Sequence, residues 1–83
     1  MPRAIVYTHR ARKARKTLPP VIRQRIDKAL QVYAEAPALA RNVKKLRGRP
    51  ELRLRVGDWR VLLVDDGDVV TVVAIGHRRE IYD

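Results

Sequence analysis

Residues 51–70, ELRLRVGDWRVLLVDDGDVV, alternate as a sheet does, yet they place Arg53, Arg55 and Arg60 among residues built for burial. Gly57-Asp58 and Asp66-Gly67 each fit a two-residue hairpin turn, with glycine supplying the positive φ that such turns need. A two-residue first turn pairs Val56 with Trp59, Leu54 with Val61 and Leu52 with Leu63. A two-residue second turn pairs Val61 with Val72 and Leu63 with Val70. Side chains alternate along a strand, so one face gathers Leu52, Leu54, Val56, Trp59, Val61, Leu63, Val70, Val72 and Ala74. The other face gathers the three arginines, bordered by Leu62, Val64, Val69, Thr71 and Val73. Arg55 and Arg60 fall directly opposite one another, which is unfavourable unless an anion lies between them or Glu51, Asp58 and solvent screen them. Planar guanidinium forks match phosphate oxygens, and this favours a phosphate site on that face.

The residues before this hairpin supply the covering layer. Ala4-Ile5-Val6-Tyr7 is a short β-prone run, and Thr8 is a good helix cap. Residues 9–16, HRARKARK, read as a very basic helix whose apolar side is Ala11 and Ala14, with Leu18 following. Thr17-Leu18-Pro19-Pro20 ends it, and proline is tolerated at the start of the next helix because its amide needs no acceptor there. Ile22, Ile26, Ala29, Leu30 and Tyr33 recur at helical spacing up to Ala36, and Pro37 stops the pattern. Residues 37–50 read as a loop carrying Arg41, Lys44, Lys45, Arg47 and Arg49 around Leu46 and Gly48. The expected fold is α+β, in the order β-α-α-β-β-β, with both helices packed on one face of a small, mainly antiparallel sheet.

With 83 residues the chain has room for a single domain, residues 1–83, and one modest core. It contains no cysteine, which excludes disulfides and thiolate metal sites and suits the cytoplasm. No stretch is long and apolar enough for a membrane span, and MPRAIVYTHR lacks the core of a signal peptide. The net charge is +10, unevenly spread: residues 1–50 carry 14 basic and 2 acidic side chains, residues 51–83 carry 5 and 7. That balance favours a polyanionic partner, a nucleic acid or the ribosome, over the plainer reading of a solvated basic surface. Asp65, Asp66 and Asp68 crowd a turn too short to wrap a cation and read as solvated turn residues. Trp59 reads as a core anchor.

The segment from Leu46 to Tyr82, with LRG, LRLRVGDWRVLL and the terminal IGHRREIY, resembles the RelE group of the RelE/ParE toxin superfamily. The resemblance implies a toxin of a type II toxin–antitoxin pair that enters the ribosomal A site and cleaves mRNA there, without metal or cofactor. It implies a cognate antitoxin, the ribosome and mRNA as partners. The family's site residues fall on Arg53, Arg60 and Arg78, and its terminal aromatic on Tyr82. Arg60 and Arg78 would stabilise charge on the reacting phosphate, and Tyr82 would stack on a base or position the 2′-hydroxyl. Arg53 and Glu51 stand where the best-known members have lysine; arginine keeps the charge but is a poorer proton donor or acceptor, which argues against an acid–base role for Arg53. His77 admits two readings, a general acid or base working with Glu51, or a strand-end residue without chemistry. Strand parity puts Arg78 on the face away from Arg60, so a turn at Gly76 is needed to unite them. Arg55, Lys13, Arg15, Lys16, Lys44, Lys45 and Arg47 are the candidate RNA contacts. Two alternatives belong to other classes: the ParE branch, which shares the fold and poisons DNA gyrase, and a basic RNA-binding module.

Overall fold

The computed structural model describes residues 2–81. The expected layers are found, with one more strand than the sequence suggested. Strand β1 (Ala4–Tyr7) leads into helix α1 (His9–Thr17) and helix α2 (Pro20–Glu35). A 3₁₀ turn (Pro37–Leu39) follows, then β2 (Val43–Lys45), β3 (Leu52–Val56), β4 (Trp59–Asp65) and β5 (Val69–His77). The sheet order is β1-β5-β4-β3-β2, parallel between β1 and β5 and antiparallel elsewhere. The extra strand is β2, drawn from the stretch read as loop. Its Lys44 and Lys45 hide it from a propensity reading, and charged residues are a common way to blunt a sheet edge.

Local chemistry explains the helices. The Thr8 side chain accepts from the Ala11 amide at 3.2 Å and caps α1. Pro20 occupies the first turn of α2, as its missing amide allows. Ala11 and Leu18, with Ile26, Leu30 and Tyr33 from α2, pack on Leu54, Val56, Val61, Leu63, Val70, Val72 and Ile75. Ile26, Leu30, Leu54 and Leu63 are fully buried. Each contributes about 1.5–3 kcal/mol over an exposed equivalent.

The first hairpin has the register expected of it: Val56 faces Trp59, Leu54 faces Val61, Leu52 faces Leu63 and Arg55 faces Arg60. Gly57 has φ of +59° while Asp58 stays at negative φ, the pattern of a type II′ turn. The second hairpin differs. Leu63 pairs with Val72 rather than Val70, and Asp65 pairs with Val70. The cause is a longer turn, in which Asp66 Oδ1 accepts the amides of Asp68 and Val69 at 2.9 and 2.8 Å. A two-residue slip preserves parity, so Val70 and Val72 still face the helices.

A bulge then changes the outcome. Leu62 pairs with Ala74 and Leu63 with Val72, which leaves Val73 as the extra residue. Beyond it every side chain changes face. Ala74, expected beneath the helices, instead joins Leu46 and Leu62 in a small second cluster on the opposite side, flanked by Val73 and Ile81. Ile75 takes the vacated place opposite Val61 in the main core.

Candidate functional site

The face away from the helices is built in cross-strand rows. One row runs Lys44, Arg53, Leu62 and Ala74 across β2, β3, β4 and β5; the next runs Arg55, Arg60 and Gly76. The Val73 bulge sets Gly76 in the second row, and the same parity brings Arg78 to this face. Arg78 continues the ladder past the end of β5, its amide donating to Asp58 O at 2.8 Å. The bulge therefore does what a turn at Gly76 was expected to do. Glycine at 76 serves close approach instead: a Cβ there would lie 3.3 Å from Ile81 Cβ, which folds back over it.

Four guanidinium groups thus share one face. Arg60 Nη1 donates to Gly57 O and to Trp59 O, each at 2.9 Å, which fixes its direction. Burial and then the charges of Arg55, Arg53 and Arg78 push the Arg60 pKa down, and Asp58 partly offsets them. The field at Arg60 is positive and favours an anion. Two hollows border this face. One of about 650 Å³ is lined by Lys44, Lys45, Leu46, Arg47, Gly48, Arg49 and Arg53. The other, of about 500 Å³, includes Arg41, Lys44, Arg53 and Arg55 in its walls. Leu46 is buried under the first, so the second cluster ties the basic loop to the arginine face.

A family model described as the ParE toxin of the type II toxin–antitoxin system parDE matches residues 5–82. The chain belongs to this toxin family. Among solved structures it is similar to a chain of the RelBE2 toxin–antitoxin complex of Mycobacterium tuberculosis, at 25% identity and a TM-score of 0.78, covering 96% of this chain and 95% of that one. It is similar to a chain of the RelB–RelE complex of Methanococcus jannaschii, at 27% identity and a TM-score of 0.74, covering 94% and 95%. A third likeness is to the intact RelBE complex of E. coli, at 29% identity and a TM-score of 0.71, covering 90% and 95%. No curated protein matches the sequence. The chain is therefore a RelE-like toxin of the RelE/ParE superfamily, with the family model named for one branch and the solved structures for the other.

In this toxin Arg53, Arg55, Arg60 and Arg78 come together, with Lys44 in the row of Arg53, and several other candidates do not join them. His77 sits across from Trp59, its ring edge-on at 5.5 Å, on the helix side of the sheet. Its Nδ1 accepts the Arg79 amide at 3.3 Å. That position separates it from the arginines and from the proposed partner Glu51. Glu51 instead accepts from Arg49 Nε at 3.1 Å, and this hydrogen bond lowers its pKa. Arg15 is engaged within the fold: both ends of its guanidinium donate to Asp27, at 2.9 and 2.6 Å, and it lies over the Tyr7 ring. Lys13 and Lys16 are exposed on α1, across the sheet from the arginine face, whereas Lys44, Lys45 and Arg47 border it. Trp59 is half-buried against the main core. Tyr82 lies outside the described residues.

The acidic turn holds a feature that the sequence pattern does not show. Asp65 is no solvated turn residue: it accepts from Arg3 Nε and Tyr33 OH, each at 2.7 Å, and from the Gly67 amide at 2.8 Å. Arg3 and Tyr33 lie 62 and 32 residues away, so no local pattern announces them. Among the described residues no three His, Asp or Glu side chains gather as metal ligands, and no helix is long and apolar enough to cross a membrane.

Proposed function

We propose that this toxin is a ribosome-dependent mRNA endoribonuclease that cleaves in the A site and needs no metal. The observation that carries the reading is the convergence of Arg53, Arg55, Arg60 and Arg78 on one open sheet face beside a basic hollow. In the reaction the ribose 2′-oxygen attacks the adjacent phosphorus and the P–O5′ bond breaks. The 2′-hydroxyl loses its proton and the departing 5′-oxygen gains one. Negative charge grows on the equatorial phosphate oxygens, where Arg60 and Arg78 would stabilise it with donors aimed in advance. Arg53 and Arg55 would hold the strand, and Tyr82 would stack on a base or orient the 2′-hydroxyl. His77, on the far side of the sheet, takes no part. Lys13, Lys16, Lys44, Lys45 and Arg47 would bind rRNA phosphates.

The structures of RelB–RelE complexes support a cognate antitoxin as the second partner. We read residues 1–83 as one domain acting in the cytoplasm. The ParE name of the matching family model favours a second reading, a gyrase poison without nuclease activity. Single-turnover cleavage of an A-site codon on programmed ribosomes separates the two. Arg60→Ala and Arg78→Ala are each expected to lose about 10²–10³-fold in rate, comparable to removing one oxyanion donor, with the fold kept by circular dichroism. Wild-type rates in both variants overturn the catalytic assignment. A wild type that never cuts but inhibits supercoiling establishes the gyrase reading.

A further inference from the structure

The Gly57-Asp58 turn touches both guanidinium groups to which the proposed reaction assigns chemistry. Its Gly57 carbonyl accepts from Arg60 Nη1 at 2.9 Å. The Asp58 carbonyl accepts the Arg78 amide at 2.8 Å, and the Asp58 carboxylate lies 3.6 Å from Arg78 Nε. Residues 58 and 78 occupy opposed places in the ladder that pairs Arg60 with Gly76 and Trp59 with His77, so the ion pair follows from register. From this we infer that Asp58 is a positioning residue for Arg78, a built-in anion that keeps its guanidinium beside Arg60 until a substrate phosphate displaces it. The inference rests on the proposed nuclease reading.

Without a counter-charge, Arg78 is repelled by Arg60, Arg55 and Arg53 and swings into solvent, which a long, flexible side chain does at little cost. Asp58 opposes that repulsion from the correct side. The pair is also weak enough to open, because both side chains are more than half exposed, 54% for Arg78 and 64% for Asp58. Exposed ion pairs contribute little net stability. The carboxylate stands 3.6 Å from Arg78 Nε, longer than a hydrogen bond, whereas a substrate phosphate can meet the guanidinium fork with charge-assisted hydrogen bonds, so exchange favours the substrate. Finally, Asp58 is anchored where it stands. The type II′ turn fixes its backbone, with the Arg25 guanidinium of α2 lying 3.4 Å from where a Gly57 Cβ would be.

Asp58→Asn keeps the size of the side chain and removes its charge. The expected result on programmed ribosomes is a fall in maximal single-turnover rate of about 2–5-fold, the range an exposed pair can account for. The ribosome concentration at half-maximal rate should hold or fall, because a competitor for Arg78 has gone. Combined with Arg78→Ala, the same substitution should cost nothing further, since Asp58 acts only through Arg78. In the free protein the Arg78 Nε–Hε resonance should shift in Asp58→Asn. In the wild type it should move on titration with inorganic phosphate. An unchanged rate with an unmoved Arg78 resonance overturns the inference, as does an equal loss in the Arg78→Ala background. Should the wild type fail to cleave at all, the nuclease reading falls. The two resonance measurements then still decide whether Asp58 holds Arg78.

Discussion

Arg55 and Arg60 face each other across a two-residue hairpin, a place where opposite charges are usual and like charges destabilise. In the proposed function both arginines meet RNA, so the pair would serve function at the expense of stability, and this gives a prediction. Arg55→Thr, a residue suited to strands, should stabilise the free toxin by about 0.5 kcal/mol in urea unfolding while weakening ribosome-stimulated cleavage. An unchanged midpoint would show that solvent already screens the pair. Tyr33 and Asp65 make the contrasting case, in which a polar pair serves the fold. Burial and the hydrogen bond to Asp65 raise the Tyr33 pKa from 10.0 to about 12. A raised pKa favours the folded state fully below about pH 10, and that contribution disappears as pH climbs through about 12. For Asp65, burial pushes its pKa up, but the bonds from Tyr33, Gly67 and Arg3 outweigh it and hold the carboxyl low. Its contribution has the opposite sign, present above pH 3.8 and lost as pH falls through the lowered value. Tyr33→Phe should therefore cost about 1.5 kcal/mol at neutral pH and flatten the alkaline limb of a stability–pH curve. A full alkaline limb in that variant would place the titration elsewhere.

Strand β5 shows where a sequence stops being legible. The β3–β4 hairpin was readable from Gly57-Asp58 and simple alternation, as were both helices from caps, prolines and a 3.6-residue stripe. In strand β5 only the face taken by Val70 and Val72 was readable, because the longer turn had already shifted the register by two residues. VVTVVAIG is apolar on both faces, so nothing in it marks the residue at which the alternation inverts. The structure places the bulge at Val73, where Thr8 fastens it. The Thr8 amide donates to Val72 O at 3.0 Å, and its hydroxyl donates to Val73 O at 3.3 Å while capping α1. One residue thus sets the start of a helix and the point at which β5 reverses its faces, 65 positions away. The meeting of Arg78 with Arg60 depends on that reversal, which is why parity counted from the turn put them apart. Thr8→Val keeps the shape without the hydroxyl and should cost about 1–2 kcal/mol, the sum of a missing cap and an unpaired carbonyl. Thr8→Ser should restore most of it. Equal stability of the valine and wild-type proteins in thermal unfolding would show that the bulge holds by packing alone.

Charge across the molecule divides in two. The chain measures 30 × 27 × 24 Å; the sheet separates Lys13 and Lys16 on α1 from Lys44 on the arginine face, and Lys45 lies beside Lys44 on the edge strand β2, at the end of the sheet away from β1. At physiological salt the screening length is about 8 Å, so charges on the two sides barely sense each other. Their contributions to ribosome binding should therefore add. Neutralising Lys13 and Lys16 together should weaken affinity and reduce the slope of log affinity against log salt by roughly one for each phosphate left without its cation. Neutralising Lys44 and Lys45 should do the same, and the four-fold variant should show the sum within about 0.5 kcal/mol. The pairs should differ in one respect. Lys13 and Lys16 lie across the sheet from the arginine face proposed to hold the reacting phosphate, so their removal should leave the saturated single-turnover rate unchanged. Lys44 shares a cross-strand row with Arg53, and its removal should lower that rate as well. Filter binding and cleavage over a salt series measure both quantities on the same variants. Salt-insensitive affinity would mean that the ribosome meets an apolar surface of the toxin. A saturated rate that fell with Lys13 and Lys16 would place the RNA on the helix side of the sheet, and with it the active site.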